Sequence, residues 1–138
     1  MAILRGVQQK KLFAYSVYVW VIPFVISVPF FDRNGQLRTS EYWFKCVMAI
    51  FSSWCTAVAL RSVLPSRTSS LNGMLVASEI VAINWALDLL VFVHFGLGGY
   101  TLYTYFEKIG CGYLAGIAMG WLAGGVSSDA AINRKKST

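Results

Sequence analysis

The chain has 138 residues, 57% of them hydrophobic and only 13% charged, with a mean hydropathy of +0.57. A soluble domain usually carries about 25% charged residues, so an ordinary water-soluble domain is excluded, and the length leaves no room for a second domain beside four membrane spans. The net charge of +6 sits in loops and tails; Lys10-Lys11 and Arg134-Lys135-Lys136 have no interleaved base-stacking aromatics, which speaks against nucleic acid and for orientation and anionic lipid.

The first apolar stretch runs from Leu12 to Phe31, free of charge, with Pro23 and Pro29 inside it. Prolines are tolerated in membrane helices and usually kink them. No small-residue cleavage site follows, so a retained helix is expected rather than a signal peptide. Asp32-Arg33-Asn34-Gly35 is a turn signal. Glu41-Tyr42-Trp43 reads as an interfacial belt leading into a second span over residues 44–64, closed by Pro65 and the polar run after it. A third span is expected over 75–97 and a fourth over 109–126. Between those two lies a tyrosine-rich stretch, Gly98 to Lys108, which reads as an amphipathic segment in the headgroup layer. Residues 127–138 read as a polar, frayed tail. The expected fold is therefore an all-α, four-helix integral membrane bundle with short loops, in one transmembrane domain.

Lys and Arg set the orientation. With four spans both termini share a side, which collects Arg5, Lys10, Lys11, Arg61, Arg67, Arg134, Lys135 and Lys136. The opposite side holds Arg33, Arg38, Lys45 and Lys108. This bias predicts both termini in the cytoplasm.

Within the third span, Ile83-Asn84-Trp85-Ala86-Leu87-Asp88-Leu89 places an aspartate deep in the apolar run. A carboxylate there costs roughly 2.5–3.5 kcal/mol on insertion scales, so it must face protein or water. At about 100° per residue, Asn84 and Asp88 share a helix face while Glu79 projects roughly opposite. Asp88 lies about thirteen residues, roughly 20 Å, from the cytoplasmic end. No Lys or Arg lies at its level; Ser52, Ser53 and Thr56 on the second span and Tyr113 on the fourth are its candidate partners. Three roles stay open: a hydrogen-bonded bolt between helices, a proton or cation site, or a contact to a partner subunit or cofactor. Glu79 lies only about four residues inside the cytoplasmic end, and Arg61 about three residues inside the same end of its neighbour, so an Arg61–Glu79 ion pair near the interface is expected.

The fourth span carries Gly112, Gly116, Gly120 and Gly124, a small-residue series at spacing four that lets another helix backbone approach closely. That helix belongs either to the bundle or to a second subunit. His94, the single histidine, sits near the outer end of the third span without ligands at metal-binding spacing. The three cysteines, Cys46, Cys55 and Cys111, form no C-x-x-C pair and read as small buried hydrophobes. The five tryptophans read as belt and lipid-facing residues. No catalytic constellation, cofactor motif or metal motif is present, so no cofactor and no enzymatic activity of the chain alone are expected. These features point to an accessory or structural subunit packed among other membrane proteins, with a small proton- or cation-coupled transporter or channel using Asp88 as the alternative, and a membrane enzyme or cofactor protein using His94 with a cysteine or carboxylate as a third class.

The segment Ile83–Leu89, with Tyr105-Phe106-Glu107-Lys108-Ile109-Gly110-Cys111-Gly112-Tyr113-Leu114, resembles a small prokaryotic family of four-span membrane proteins of unassigned function. The similarity covers about a third of the chain, in its C-terminal half. It implies the four-span fold and no reaction. In that family a basic residue stands where this chain has Gly112, and a proline breaks the last helix; both are missing here, and if the basic residue answers the aspartate in the family, Asp88 here is left unpaired or answered by another protein.

Overall fold

A computed structural model of the chain describes residues 9–32, 36–65 and 68–136, with side chains described as far as residue 127. Arg5, Arg33 and Arg67, used in the charge count, lie outside the described residues, as do Asn34 and Gly35 of the expected turn and the side chains of Arg134, Lys135 and Lys136. Among the described residues the structure is helical and has no strand beyond a single Phe31–Leu37 bridge. In chain order come α1 (Gln9–Ser27) with a 3-10 extension (Val28–Phe30), α2 (Glu41–Val63), and α3 (Ser70–Asp88) continued by a π-helical segment (Leu89–His94). There follow α4 (Leu102–Lys108), a 3-10 turn (Gly110–Tyr113) and α5 (Leu114–Lys136).

Local chemistry sets the boundaries. Ser40 caps α2 by accepting the Trp43 N–H, and Ser69 caps α3 by accepting the Asn72 N–H. Thr101 and Thr104 close a reciprocal capping box on α4. Pro65 stands just beyond the end of α2, where the helix cannot continue. The reversal after the π segment uses Gly96 and Gly98 at φ of 71° and 80°, a left-handed conformation that costs glycine little.

Three helical stretches are long and apolar enough to cross a membrane: Gln9–Phe30, Glu41–Val63 and Ser70–His94. A fourth crossing is formed if Leu102–Lys108 and Gly110–Ser127, bent by 48° at their junction, count as one span. Only 22–33% of the most apolar windows of the three long stretches is buried inside the chain, so most of their apolar surface faces outward and suits lipid or other apolar helices.

Side-chain contacts fix the helix directions. Asn84 reaches Ser16 and Asp88 reaches Trp20, so α1 and α3 run parallel. Tyr18 meets Cys55 while Phe30 and Phe31 meet Phe44, so α2 is antiparallel to α1. Gly116 faces Val81 while Gly124 faces Ser69, so α5 is antiparallel to α3. The four long helices thus alternate in direction around a small core that includes Leu12, Val19, Cys55, Leu60, Val76 and Ile80.

The element boundaries differ from expectation at two places. The segment expected as the fourth span is broken near Ile109–Gly110 and is not a continuous helix from 109. The polar stretch after Ser127, expected to be frayed, stays helical to Lys136; Ala, Arg and Lys are strong helix formers.

Candidate functional site

The site begins with two rungs between α1 and α3. Asn84 Nδ2 donates to the Ser16 carbonyl at 3.2 Å and to the Ile80 carbonyl of its own helix at 2.8 Å. One turn further on, Trp20 Nε1 donates to Asp88 Oδ1 at 2.6 Å. Ser16 and Trp20 are four apart, as are Asn84 and Asp88, so a single register satisfies both rungs. Asp88 is 2% exposed and Asn84 fully buried, confirming that the two share the inward face of α3. Glu79, by contrast, is only partly buried.

That register also gives a depth. Lys11 is the last charge before the apolar run of α1, and Trp20 lies about nine residues, roughly 14 Å, beyond it. Half the hydrocarbon thickness of a bilayer is about 15 Å. Asp88 therefore sits close to the middle of the apolar run.

The other carboxylate oxygen is taken from the opposite side. The Tyr105 hydroxyl, fully buried on α4, donates to Asp88 Oδ2 at 2.9 Å. The Tyr113 hydroxyl, at the end of the 3-10 turn, faces the same carboxylate. The tyrosine-rich segment expected in the headgroup layer is thus tied to the bundle through Tyr105. Its break is anchored as well: Trp85 Nε1 donates to the Gly110 carbonyl at 2.9 Å, occupying an acceptor at the bend. Phe106 packs edge-on against Trp85, with ring centroids 5.4 Å apart.

The expected partners of Asp88 were partly wrong. Tyr113 is present, but Thr56 donates to the Ser52 carbonyl of its own helix at 2.8 Å and stays with α2. Trp20 and Tyr105 were missed because an indole or phenol in an apolar run reads as belt or lipid-facing surface. The available signal was the matched spacing of four in Ser16/Trp20 and Asn84/Asp88.

The Arg61–Glu79 ion pair is not formed. Among the described residues the ion pair present is Lys45 with Glu41, at 2.8 Å on the exposed start of α2. Arg61 is exposed on the last turn of α2, and α2 touches α3 little.

The glycine series divides. A Cβ on Gly120 would collide with Ala77 and the Gly73 backbone, and one on Gly124 would lie 2.9 Å from Ser69 C and Ser70 Cα. Gly116 meets only ordinary contacts, Val81 at 3.5 Å and Thr56 at 3.7 Å, and Gly112 faces open space. The close approach is therefore between α5 and α3, with Gly73 of α3 as an unforeseen third member. Close backbone contact replaces the hydrophobic drive that lipid cannot supply.

His94 ends the π segment and lies edge-on to Phe95, with ring centroids 5.2 Å apart. Among the described residues no three His, Cys, Asp or Glu side chains gather as a metal would require. Cys55 is buried as expected, Cys46 is partly buried and Cys111 is exposed; all three are free thiols.

One polar atom in the site lacks a partner. Asn84 Oδ1 is buried and accepts no hydrogen bond. An orphaned buried acceptor costs about 1–3 kcal/mol.

Chemically, the arrangement is a buried carboxylate held by indole and phenol donors, without a cation, at the point where α3 becomes π-helical and the α4–α5 unit bends. It can tie helices together, and it can exchange a proton. No protein-family model, curated protein or solved structure matches the chain, so the reading of its function rests on this geometry.

Proposed function

We propose that this chain is a four-span integral membrane protein, both termini cytoplasmic, that serves as a non-catalytic accessory or structural subunit within a larger membrane complex. The observation that carries the reading is the use of Asp88: both carboxyl oxygens accept from donors of the same chain, Trp20 and Tyr105, so this deep ionisable group acts as a tie between α1, α3 and α4. Interhelical hydrogen bonds of this kind fix packing in membranes. The outward surface supports a role among partners. Tyr42, Trp43, Ile50 and Trp54 are exposed along α2, and an apolar groove lined by Met74, Ile117, Trp121 and Leu122 opens along α3 and α5. Because α3 already covers Gly120 and Gly124, other membrane subunits or a second copy would meet these faces, with Gly112 the part of the glycine series still open. Native mass spectrometry after gentle detergent extraction tests the reading.

A second reading is favoured by one feature. The π segment begins immediately after Asp88, and the bend of the fourth crossing comes to the same place through Tyr105 and Trp85. Interrupted helices near mid-depth are where transporters place ion sites, and π segments are frequent at functional sites. Under this reading Asp88 carries a proton or cation across the membrane. Proton flux into vesicles containing the wild-type chain or the Asp88→Asn variant separates the two readings.

A further inference from the structure

Two buried acceptors stand one helical turn apart on the inward face of α3: the Asp88 carboxylate and the unpartnered Asn84 Oδ1. Side chains four apart on a helix are neighbours, with Cβ atoms about 5–6 Å apart, a separation that a carboxyl O–H and an amide oxygen can bridge. The Asn84 amide cannot simply be turned over. Its Nδ2 already donates to the Ser16 and Ile80 carbonyls, and a flip would set its oxygen against both.

What faces the carboxylate narrows what can lie between these acceptors. From α1 comes Trp20, from α4 Tyr105 and from the turn before α5 Tyr113; among the described residues neither α2 nor α5 brings a charged group to it. Each of the three neighbours is a donor, and none is a cation. A carboxyl group in its acid form has one O–H to give while its oxygens still accept from Trp20 and Tyr105.

We propose that Asn84 and Asp88 form a binding site for a single proton: Asp88 is held as the carboxylic acid, and its O–H donates to Asn84 Oδ1. The proton satisfies the one orphaned acceptor of the site and removes an uncompensated charge from the interior in the same step. Binding forms an O–H bond on Asp88; release returns the proton to water and leaves Asn84 Oδ1 unpaired again. The site does not depend on whether the chain is a subunit or a transporter.

Infrared difference spectroscopy of the purified protein, wild type minus Asp88→Asn at neutral pH, reads the site directly. The expected result is a carboxylic-acid carbonyl band in the wild type that is lost in the variant and moves to higher frequency in Asn84→Leu, where the acceptor is gone. Ionised carboxylate bands in place of the acid band, or an acid band unmoved by Asn84→Leu, would overturn the proposal. Asp88→Asn is expected to fold, since the amide keeps an oxygen for the Trp20 N–H while its NH2 can donate to Asn84 Oδ1 and to the Tyr105 hydroxyl, which turns from donor to acceptor. Should either variant fail to fold, carbon-13 labelling of aspartate in the wild-type chain gives the same decision from the carboxyl chemical shift: a buried acid supports the site, and only ionised resonances refute it. Co-purification experiments are unaffected by either outcome.

Discussion

Two alanine substitutions in α5 isolate the contact between α5 and α3. At Gly116 an added Cβ would meet Val81 at 3.5 Å and Thr56 at 3.7 Å, which is ordinary contact. At Gly120 it would run into Ala77 and the Gly73 backbone, which cannot move without separating the two helices. Both substitutions gain the same helix propensity, about 0.8–1 kcal/mol, so that contribution cancels in the comparison. What remains is the overpacking cost, about 1–3 kcal/mol, and the backbone nature of the clash places it toward the upper end. Gly116→Ala should leave stability unchanged or slightly raised, while Gly120→Ala should lie about 2–3 kcal/mol below it. The assay is reversible unfolding of the purified chain in mixed micelles, with helicity as the readout and both variants run together. Equal stabilities would refute the claim that α3 and α5 touch backbone to backbone at this point.

Removing single donors from Asp88 should have modest and separable effects. Tyr105→Phe keeps the ring and loses the hydroxyl, and should cost about 0.6–1.7 kcal/mol in the same unfolding assay, the range for interhelical bonds in membranes. Trp85→Phe should cost a similar amount and loosen the bend at Gly110, read as faster amide exchange around residues 109–113. Asp88→Asn should leave helicity and assembly intact if Asp88 is a tie, and should abolish proton flux if the second reading holds. Arg61→Ala and Glu79→Ala should behave additively in a double-mutant cycle, with a coupling near zero, because the two side chains do not form an ion pair.

The spans were legible because the bilayer demands long apolar helices, and hydropathy reports that demand directly. The shared face of Asn84 and Asp88 was legible for the same kind of reason, since four residues advance a helix by little more than one turn. The donors were not. Trp20 and Tyr105 have the composition of a membrane belt; only the register between α1 and α3 turns Trp20 inward, and only the fold of α4 against the bundle does so for Tyr105. The π segment and the bend at Ile109–Gly110 are shifts in backbone hydrogen bonding that hydropathy does not register. Gly73 was overlooked because it stands alone in α3, whereas the glycines of α5 announce themselves by repetition. The expected Arg61–Glu79 pair failed because matched depth does not bring side chains together when α2 and α3 scarcely touch.

The most direct test of the subunit assignment is native mass spectrometry of the chain extracted gently from its source membrane. Reproducible co-purification with other, unrelated membrane subunits is the predicted result. A clean monomer or a small homo-oligomer would contradict it and shift the weight to proton or cation handling at Asp88.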